Sequence, residues 1–403
     1  MLRVPLDLGT SVRAKPLKRT LEAALPAAGR AGVSRVTDIT RLDRLGLPVF
    51  ASVRPRGRVL RVHAGKALDG LGARVGALME AIEFWSAEPQ NSVWITRSLP
   101  VAEIVEQFGA RFGLVDFAPR LGRRIRPSQT LPTIECEDLL QDAVAWLPAE
   151  LIFLPFEANP PEDLFGWTSN GLASGNSAAE ATLHALFEVL ERDALSMNLA
   201  RNDFYRLDDD DLPEPFRTLA GAWRCTGVQL AVRYVPNELM LPCFEACLHE
   251  SGGERINLAA GSGLHSSRTI ALTRAICEAA QSRLTHIHGG REDVTLFYSK
   301  YRSIDLARRQ AETDFLRKMR DARCRCRFAD LPDEPCTVEI PALLDRLLGR
   351  LRRAGFPSVF RYRFASGLAG IHVVKVIVPR CEDVMHRPRC IGPRLFARIC
   401  GRA

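Results

Sequence analysis

One pattern occurs three times along this chain and restricts its fold more than any other feature. Each copy has a glycine-led loop, a turn of small or polar residues, a helix rich in alanine and leucine, and then Glu-x-x-Glu or Glu-x-x-Gln. The copies are GKALDGLGARVGALMEAIE (65–83), GNSAAEATLHALFEVLE (175–191) and GLHSSRTIALTRAICEAAQ (263–281). An α-helix advances about 100° per residue, so positions four before and three after a glutamate share its side. Each copy therefore predicts an amphipathic helix.

The three helices have matching polar faces. These faces are Gly76/Glu80/Glu83, His184/Glu188/Glu191 and Arg274/Glu278/Gln281, and Glu180 extends the second one backward. The opposite sides carry Val75, Leu78 and Ile82; Leu186, Leu190 and Met197; and Leu272 and Ile276, which we expect in the core. For any single helix, the simplest interpretation of such a pattern is an acidic face in water.

Three features favour a binding site for the set as a whole. The polar faces contain little lysine, which is the usual partner of glutamate on a solvated helix. Each helix starts just after glycines, whose small size lets a ligand approach the backbone, and helix N-termini favour anions. Carboxylates from several helices would repel one another on convergence unless cations lay between them. Convergence of the glutamates at 80, 83, 188, 191 and 278 therefore predicts a divalent metal site, and oxygen ligands suit Mg²⁺.

Magnesium in such a site usually accompanies a phosphate-bearing ligand. Arg192 and Arg274 could supply the bidentate positive groups that nucleotide phosphates need. No standard nucleotide motif is present, because Gly65-Lys66 lacks the glycine loop and the Ser/Thr of a P-loop. A Mg-nucleotide site of another design is thus one interpretation, and solvated helix faces remain the other.

Composition narrows the class of protein further. With 403 residues and 46% apolar residues the chain can bury a large core. Strand-like runs mixed with long helices favour an α+β fold over a regular βαβ winding. No signal peptide or membrane-spanning run is evident, and eleven cysteines without a framework suit a reducing compartment, so we expect a cytoplasmic protein. The net charge of +8 comes without a nucleic-acid-binding motif, so we expect no nucleic acid and no membrane partner.

Longer stretches of the chain resemble the YcaO family. The matching segments are TSNGLASGNSAAEATLHALFEVLERDAL (168–195), GVSRVTDITRLDRLGLPVFASVRP (32–55), HAGKALDGLGARVGALMEAIEFWSAE (63–88) and IALTRAICEAAQSRLTHIHGGRED (270–293). They occur in the family's order and cover about residues 9–380. The resemblance implies mixed and antiparallel sheets with long helices around a non-P-loop ATP site. We expect a single domain over 1–403, with 381–403 as a C-terminal tail.

The resemblance also implies functional residues. The ATP and Mg²⁺ residues would be Glu80, Glu83, Asn176, Glu180, Glu188, Glu191, Arg192, Arg274 and Glu278. Among them, Glu80, Glu83, Glu188, Glu191 and Glu278 would bind metal, and Glu188, Glu191, Arg192 and Arg274 would be catalytic.

The chain departs from the family pattern at two positions. Gly76 replaces a common serine, and Gly65-Lys66-Ala67 replaces Gly-Lys-Gly. Arg13 and Lys15 lie where a basic N-terminal segment could reach the phosphates.

Family chemistry implies ATP-dependent activation of a peptide backbone amide in a peptide or protein substrate. An external sulfide as nucleophile would give a thioamide, and a neighbouring Cys, Ser or Thr side chain would give an azoline. The chain ends in CIGPRLFARICGRA instead of a Pro-x-Pro-x-Pro tail, and its N-terminal part is similar to members that work beside a TfuA-like partner. These features favour thioamide formation with a TfuA-like protein. Azoline formation with an E1-like partner, and a non-catalytic ATP-binding role in ribosomal-protein methylthiolation, stay open, as does a homodimer.

Overall fold

The fold is taken from a computed structural model of the chain. The structure describes residues 6–7, 10–89, 96–156, 163–250, 258–292, 294, 313–319, 325–334 and 339–401. The helices are α1 (Leu17–Arg30), α2 (Gly70–Ala87), α3 (Val101–Phe108), α4 (Ala178–Arg201), α5 (Phe216–Cys225), α6 (Arg268–His288), α7 (Ile340–Arg353) and α8 (Pro393–Ile399). The strands up to β9 are β1 (Leu6–Asp7), β2 (Val12–Arg13), β3 (Arg35–Asp38), β4 (Val49–Val53), β5 (Val62–Lys66), β6 (Arg97–Pro100), β7 (Thr130–Asp138), β8 (Ala143–Pro148) and β9 (Leu172–Gly175). The remaining strands are β10 (Tyr205–Leu207), β11 (Val228–Tyr234), β12 (Cys243–Glu250), β13 (Leu258–Leu264), β14 (Phe360–Arg363) and β15 (His372–Ile377).

The strands in the described part of the chain form antiparallel sheets of different sizes. The largest has the order β6-β7-β14-β15-β9, and β8 also pairs with β7. A second sheet has the order β10-β11-β12-β13, a third β3-β4-β5, and β1 pairs with β2. Antiparallel sheets with helices laid on their faces are an α+β arrangement, so the predicted fold class is confirmed.

Local sequence explains where the first two repeated helices begin and where the second of them ends. The Asp69 side chain accepts a hydrogen bond from Gly72 N at the start of α2, and Ser177 Oγ accepts one from Glu180 N at the start of α4. Helix α4 is followed by Asn202, whose left-handed backbone conformation is common just after the last residue of a helix. These caps place the Glu-x-x-Glu pairs in the middle or at the end of continuous helices.

Each repeated helix packs on the strand that precedes it in the chain. Helix α2 lies on β5, α4 on β9, and α6 on β13. A glycine in each strand allows this close approach: a Cβ on Gly65 would lie 2.1 Å from Ala77 N, and one on Gly263 2.2 Å from Ala271 O. The sequence assigned these glycines to ligand approach, whereas the structure shows that they let helix backbone and strand backbone touch.

The three strand–helix units also contact one another in a ring. Helix α2 touches β9 of the second unit, α4 touches β13 of the third, and α6 touches β5 of the first. The apolar faces predicted for these helices are buried, with Leu78, Ile82, Leu186, Leu190 and Ile276 at most 1% exposed. Their polar faces are left to meet inside the ring. In the described part of the chain, no helix is long and apolar enough to cross a membrane.

Candidate functional site

A cavity of about 210 Å³ lies between the polar faces of α2, α4 and α6. Its lining residues are Thr10, Ser11, Arg13, Lys66, Gly76, Met79, Glu80, Glu83, Leu172, Ala173, Ser174, His184, Glu188, Arg274 and Cys277. All three repeated units contribute to this wall, together with the segment around β2. The polar faces predicted from the repeat thus surround a common space.

Three of the predicted glutamates line the cavity. Glu80 accepts a hydrogen bond from Ala64 N at 2.7 Å, and Glu83 accepts from Ser174 N at 2.8 Å and from Ser174 Oγ at 2.5 Å. Glu188 lies within 3.6 Å of the Arg192 guanidinium, four residues later on α4. Burial raises the pKa of Glu83 to about 8, and the neighbouring carboxylates of Glu80 and Glu188 add to this rise. The same burial raises the pKa of Glu188.

Three cationic side chains, those of Arg13, Lys66 and Arg274, also line the cavity. Arg13 lies 3.4 Å from Glu180, and Lys66 lies 2.6 Å from Glu278. Among the described residues, Arg274 lines the cavity without a hydrogen bond or ion pair of its own, and its Nε is buried without a partner. A guanidinium without a protein acceptor, set in a cavity wall, fits an anionic ligand, because a buried donor left unsatisfied is costly.

The second glutamate of two repeats joins neighbouring units of the ring. Glu83 of α2 accepts from Ser174 of β9, and Glu191 of α4 accepts from Ser262 Oγ at 2.6 Å and from Leu264 N at 3.1 Å, both of β13. Glu191 is 2% exposed and is not part of the cavity wall. Of the five glutamates predicted to bind metal, Glu80, Glu83 and Glu188 line the cavity, whereas protein donors hold Glu191 in the contact between units.

Lys66 forms the third contact between units of the ring, which joins the first unit to the third. It extends from β5 to Glu278 on α6, at the position where the third repeat has its first glutamate. Against the effect of burial, Lys66 and Arg192 lower the pKa of Glu278 to about 2, so this carboxylate is ionised. Glu278 is not among the lining residues of the cavity, but its ion-pair partner Lys66 is.

Asn176 and Glu180 hold the N-terminal segment against the cavity. Glu180 is fully buried and accepts from Ala14 N at 2.9 Å, while both of its oxygens accept from Asn176 Nδ2. Thr20 Oγ1 donates to Asn176 Oδ1 at 3.0 Å, so α1 joins the same network. This network positions Arg13 in the wall. Lys15, which the sequence grouped with Arg13 as a possible phosphate contact, is exposed.

Arg192 lies next to the segment that follows β15. Its Nη1 contacts the imidazole of His386, and that ring is bonded to Asp383 at 3.0 Å. Asp383 is 1% exposed, so the C-terminal part brings a buried carboxylate close to the site. Arg192 itself lies outside the cavity wall, beyond Glu188 on the same helix.

Sequence reasoning missed two lysines. Lys66 forms part of the wall, and Lys375 is 1% exposed on β15, where its Nζ donates to the carbonyl oxygen of Thr168. Burial lowers the pKa of Lys375 to about 7, although Glu188 opposes this shift. The available signal for Lys375 was a single lysine inside the apolar run IHVVKVIVP, because a lysine in a buried strand requires a partner.

The donor set suits magnesium held together with phosphate. In the described ranges, no three His, Cys, Asp or Glu side chains are grouped so as to hold a metal ion by themselves. Mg²⁺ is usually bound by one or two carboxylates, with water and phosphate oxygens in the other positions. The carboxylates of Glu80, Glu83 and Glu188 repel one another, and the Nε of Arg274 is buried without an acceptor among the described residues. A magnesium ion bound to phosphate would satisfy both kinds of group.

Comparison with known proteins identifies the family. The model of the YcaO family, described as a YcaO cyclodehydratase that binds ATP and Mg²⁺, matches residues 64–382. The chain belongs to the YcaO family. The predicted resemblance is thereby confirmed, and so are ATP and Mg²⁺ as cofactors, which the family description gives.

Relatives resemble the chain over nearly its whole length. A protein of Methanothermobacter thermautotrophicus is 31% identical over 394 residues, covering 94% of this chain and 97% of the relative. A protein of Rhizobium leguminosarum bv. trifolii, described as lying in the tfuA 3′ region, is 28% identical and covers 96% of this chain and 93% of the relative.

Solved structures show the same fold. YcaO from Methanopyrus kandleri, bound with AMPPCP and Mg²⁺, superposes with a TM-score of 0.74 at 22% identity, covering 97% of this chain and 98% of that one. A heterocyclase in complex with substrate and cofactor superposes with a TM-score of 0.73 at 20% identity, and this chain covers 54% of its length and is itself 94% covered. The predicted YcaO-type fold is confirmed.

Proposed function

We propose that this protein is an ATP- and Mg²⁺-dependent enzyme that activates a backbone amide of a peptide or protein substrate. The observation that carries the proposal is the cavity in which Glu80, Glu83 and Glu188 face Arg274, a guanidinium that lacks a protein acceptor in the described structure. Membership of a family described as ATP- and Mg²⁺-binding cyclodehydratases supports this chemistry.

The proposed residue roles follow from the contacts. Glu80, Glu83, Glu188 and Glu278 would hold magnesium. Arg274 and Arg13 would face the phosphates, since both are cationic and line the cavity. The predicted site residues Asn176, Glu180 and Glu191 would act by positioning, because protein donors bond both carboxylate oxygens of Glu180 and of Glu191, and Asn176 is hydrogen-bonded to Glu180 and Thr20.

Bound ATP supplies a phosphoryl group that makes the amide oxygen a leaving group. The protein's part is to position the reacting groups and to balance charge. Glu188 lines the cavity, and Arg192, one helical turn further along α4, lies just outside the wall and contacts His386 of the C-terminal segment. We therefore place the reacting amide beside this pair, where Arg192 would stabilise negative charge and Glu188 would retain metal.

For the product, we propose a thioamide formed with a sulfur donor and a TfuA-like partner. The relative from the tfuA 3′ region of Rhizobium leguminosarum supports this choice. Azoline formation on Cys, Ser or Thr of a precursor peptide is the second candidate, which the family description as a cyclodehydratase favours. We also propose that residues 1–403 form one YcaO-like domain that works in the cytoplasm.

Mass spectrometry separates these products. The purified protein is incubated with a candidate peptide, ATP, Mg²⁺ and sulfide, with and without a TfuA-like protein. A gain of about 16 Da means that sulfur replaced oxygen, and a loss of about 18 Da means cyclodehydration, on the amide-activation chemistry proposed here. Glu188→Gln should abolish either change, whereas the exposed Glu106→Gln serves as a matched control. An unchanged peptide mass with every partner and donor, or full turnover by Glu188→Gln, contradicts the proposal.

A further inference from the structure

A second cavity lies beside the C-terminal half of α4, with a volume of about 310 Å³. Its lining residues are Leu195, Leu199, Asn202, Phe204, Arg233, Glu245, Asp314, Phe315, Lys318 and Met385. Leucine, phenylalanine and methionine side chains supply much of this wall. Two of them are largely in water, since Leu199 is 52% and Met385 43% exposed. Exposed apolar side chains around a concave surface are typical of a binding site.

One face of α4 connects this cavity to the candidate active site. Glu188, Arg192, Leu195 and Leu199 follow one another at spacings of four, three and four residues, so they lie within about 40° of a common line on the helix. Glu188 belongs to the wall of the first cavity, and the two leucines belong to the wall of the second. Met385 is the neighbour of His386, which contacts Arg192. The two cavities therefore lie next to each other along one face of α4.

The second cavity also carries a polar group that lacks a partner. Arg233 is 5% exposed, and its guanidinium carbon lies 3.4 Å from the centre of the Phe204 ring and 5.5 Å from that of Phe315. Its Nε and Nη2 donate to Glu245, but its Nη1 is buried without an acceptor among the described residues. A buried N–H without a partner favours a ligand that brings a carbonyl or carboxylate oxygen.

We propose that this cavity, the α4 subsite, binds an apolar side chain of the same peptide whose amide is activated, and that Arg233 Nη1 donates to a carbonyl oxygen of that peptide. The inference rests on the proposed function. It identifies the substrate class more closely, as a peptide with a leucine, methionine or phenylalanine at a set distance from the modified amide.

Helix geometry gives that distance. Leu195 and Leu199 follow Glu188 by seven and eleven residues, which is about 10 to 16 Å along the helix axis at 1.5 Å per residue. An extended peptide covers this length in about three to five residues, at about 3.3 Å each. The apolar residue should therefore lie three to five positions from the reacting amide.

Binding of short peptides tests the subsite without requiring turnover. The probes are fluorescein-labelled glycine-based nonapeptide amides with one cysteine and a single leucine two to six residues away, and matching peptides with aspartate in place of leucine. Fluorescence anisotropy is recorded with Mg²⁺ and AMPPCP present. Peptides with leucine three to five residues from the cysteine should bind about tenfold or more tightly than their aspartate analogues, because a buried leucine contributes at least that much.

Two variants and two controls locate the effect. Leu199→Asp and Met385→Asp should remove the preference for leucine, and both sites are exposed enough for the fold to tolerate the charge. Leu25→Asp and Met240→Asp, at 45% and 70% exposure outside the α4 subsite, should retain it. Equal binding of leucine and aspartate peptides by the unaltered protein, or an unchanged preference in both subsite variants, overturns the inference.

The same peptides separate this inference from the proposed function. If the function fails, the peptide masses stay unchanged while the preference for leucine in binding persists, which supports the subsite alone. If the subsite fails, peptides are modified with ATP, yet leucine and aspartate peptides react equally in all variants.

Discussion

Two arginines on α6 allow nucleotide binding to be separated from stability. Arg274 lines the first cavity and makes no hydrogen bond or ion pair with described residues, whereas Arg283, two and a half turns later, is bonded to Asp43 at 2.8 Å and to Glu250 at 2.5 Å. The side chain of Arg283 is only 9% exposed and that of Asp43 only 3%. Replacing each arginine by methionine keeps the aliphatic stem and removes the charge.

The expected effects are opposite in kind. Arg274→Met loses no protein partner, so its free energy of unfolding should change by no more than about 0.5 kcal/mol. It should weaken binding of a Mg-nucleotide about 10- to 100-fold, because a hydrogen bond to a charged group contributes about 1.5–3 kcal/mol. Arg283→Met leaves Asp43 buried without its cation and should lower the free energy of unfolding by about 3 kcal/mol. Its nucleotide affinity should be unchanged.

Calorimetric titration with AMPPCP and Mg²⁺ measures the affinity, and urea unfolding without nucleotide measures the stability. The reasoning fails if Arg274→Met is destabilised as strongly as Arg283→Met while it binds the nucleotide normally. In that case Arg274 would be a structural residue, and the cavity would lose its best candidate for a phosphate contact.

Three further changes test the fold and the site. Gly65→Ala should destabilise the protein by about 1–3 kcal/mol in urea unfolding, since its Cβ would overlap helix backbone, whereas Gly70→Ala, with 3.8 Å to its nearest neighbour, should not. Glu188→Gln should abolish ATP consumption without loss of stability. Glu191→Gln should lose both ATP consumption and stability, because the Glu191 carboxylate joins two units. Equal stabilities in the two variants would contradict this. Burial raises the pKa of Cys277 to about 12, so very little of its thiolate forms at pH 8. Iodoacetamide should therefore leave Cys277 unmodified while it labels the exposed Cys225 and Cys400, and rapid labelling of Cys277 would be inconsistent with its burial.

The sequence predicted the repeated helices because helical periodicity is a local property. Leu78, Ile82 and Leu186 occur at spacings that only one side of a helix can satisfy, and all three are buried. The same spacing placed Glu80 and Glu188 on one side of their helices, and both line the cavity. Periodicity therefore gave the face on which each site residue lies.

Periodicity alone did not separate the roles of the two glutamates in each pair. Glu188 and Glu191 share a helix face, yet one lines the cavity and the other is bonded to Ser262 on a distant strand. That difference depends on how α4 meets β13, which is a tertiary contact with no local signal. Lys66 was missed for the same reason, since its partner Glu278 lies 212 residues later.

The ring of units fixes the spacing of carboxylates that lie on different helices. In each repeated helix one carboxylate accepts a hydrogen bond from the strand of the next unit, through Glu83, Glu191 and Glu278 in turn. A helix that moved away from the cavity would break its contact with the following strand and expose an unpaired buried group, which costs more than the contact itself contributes. The spacing between carboxylates on different helices is thereby fixed before any nucleotide binds, and electrostatic catalysis depends on such preorganisation.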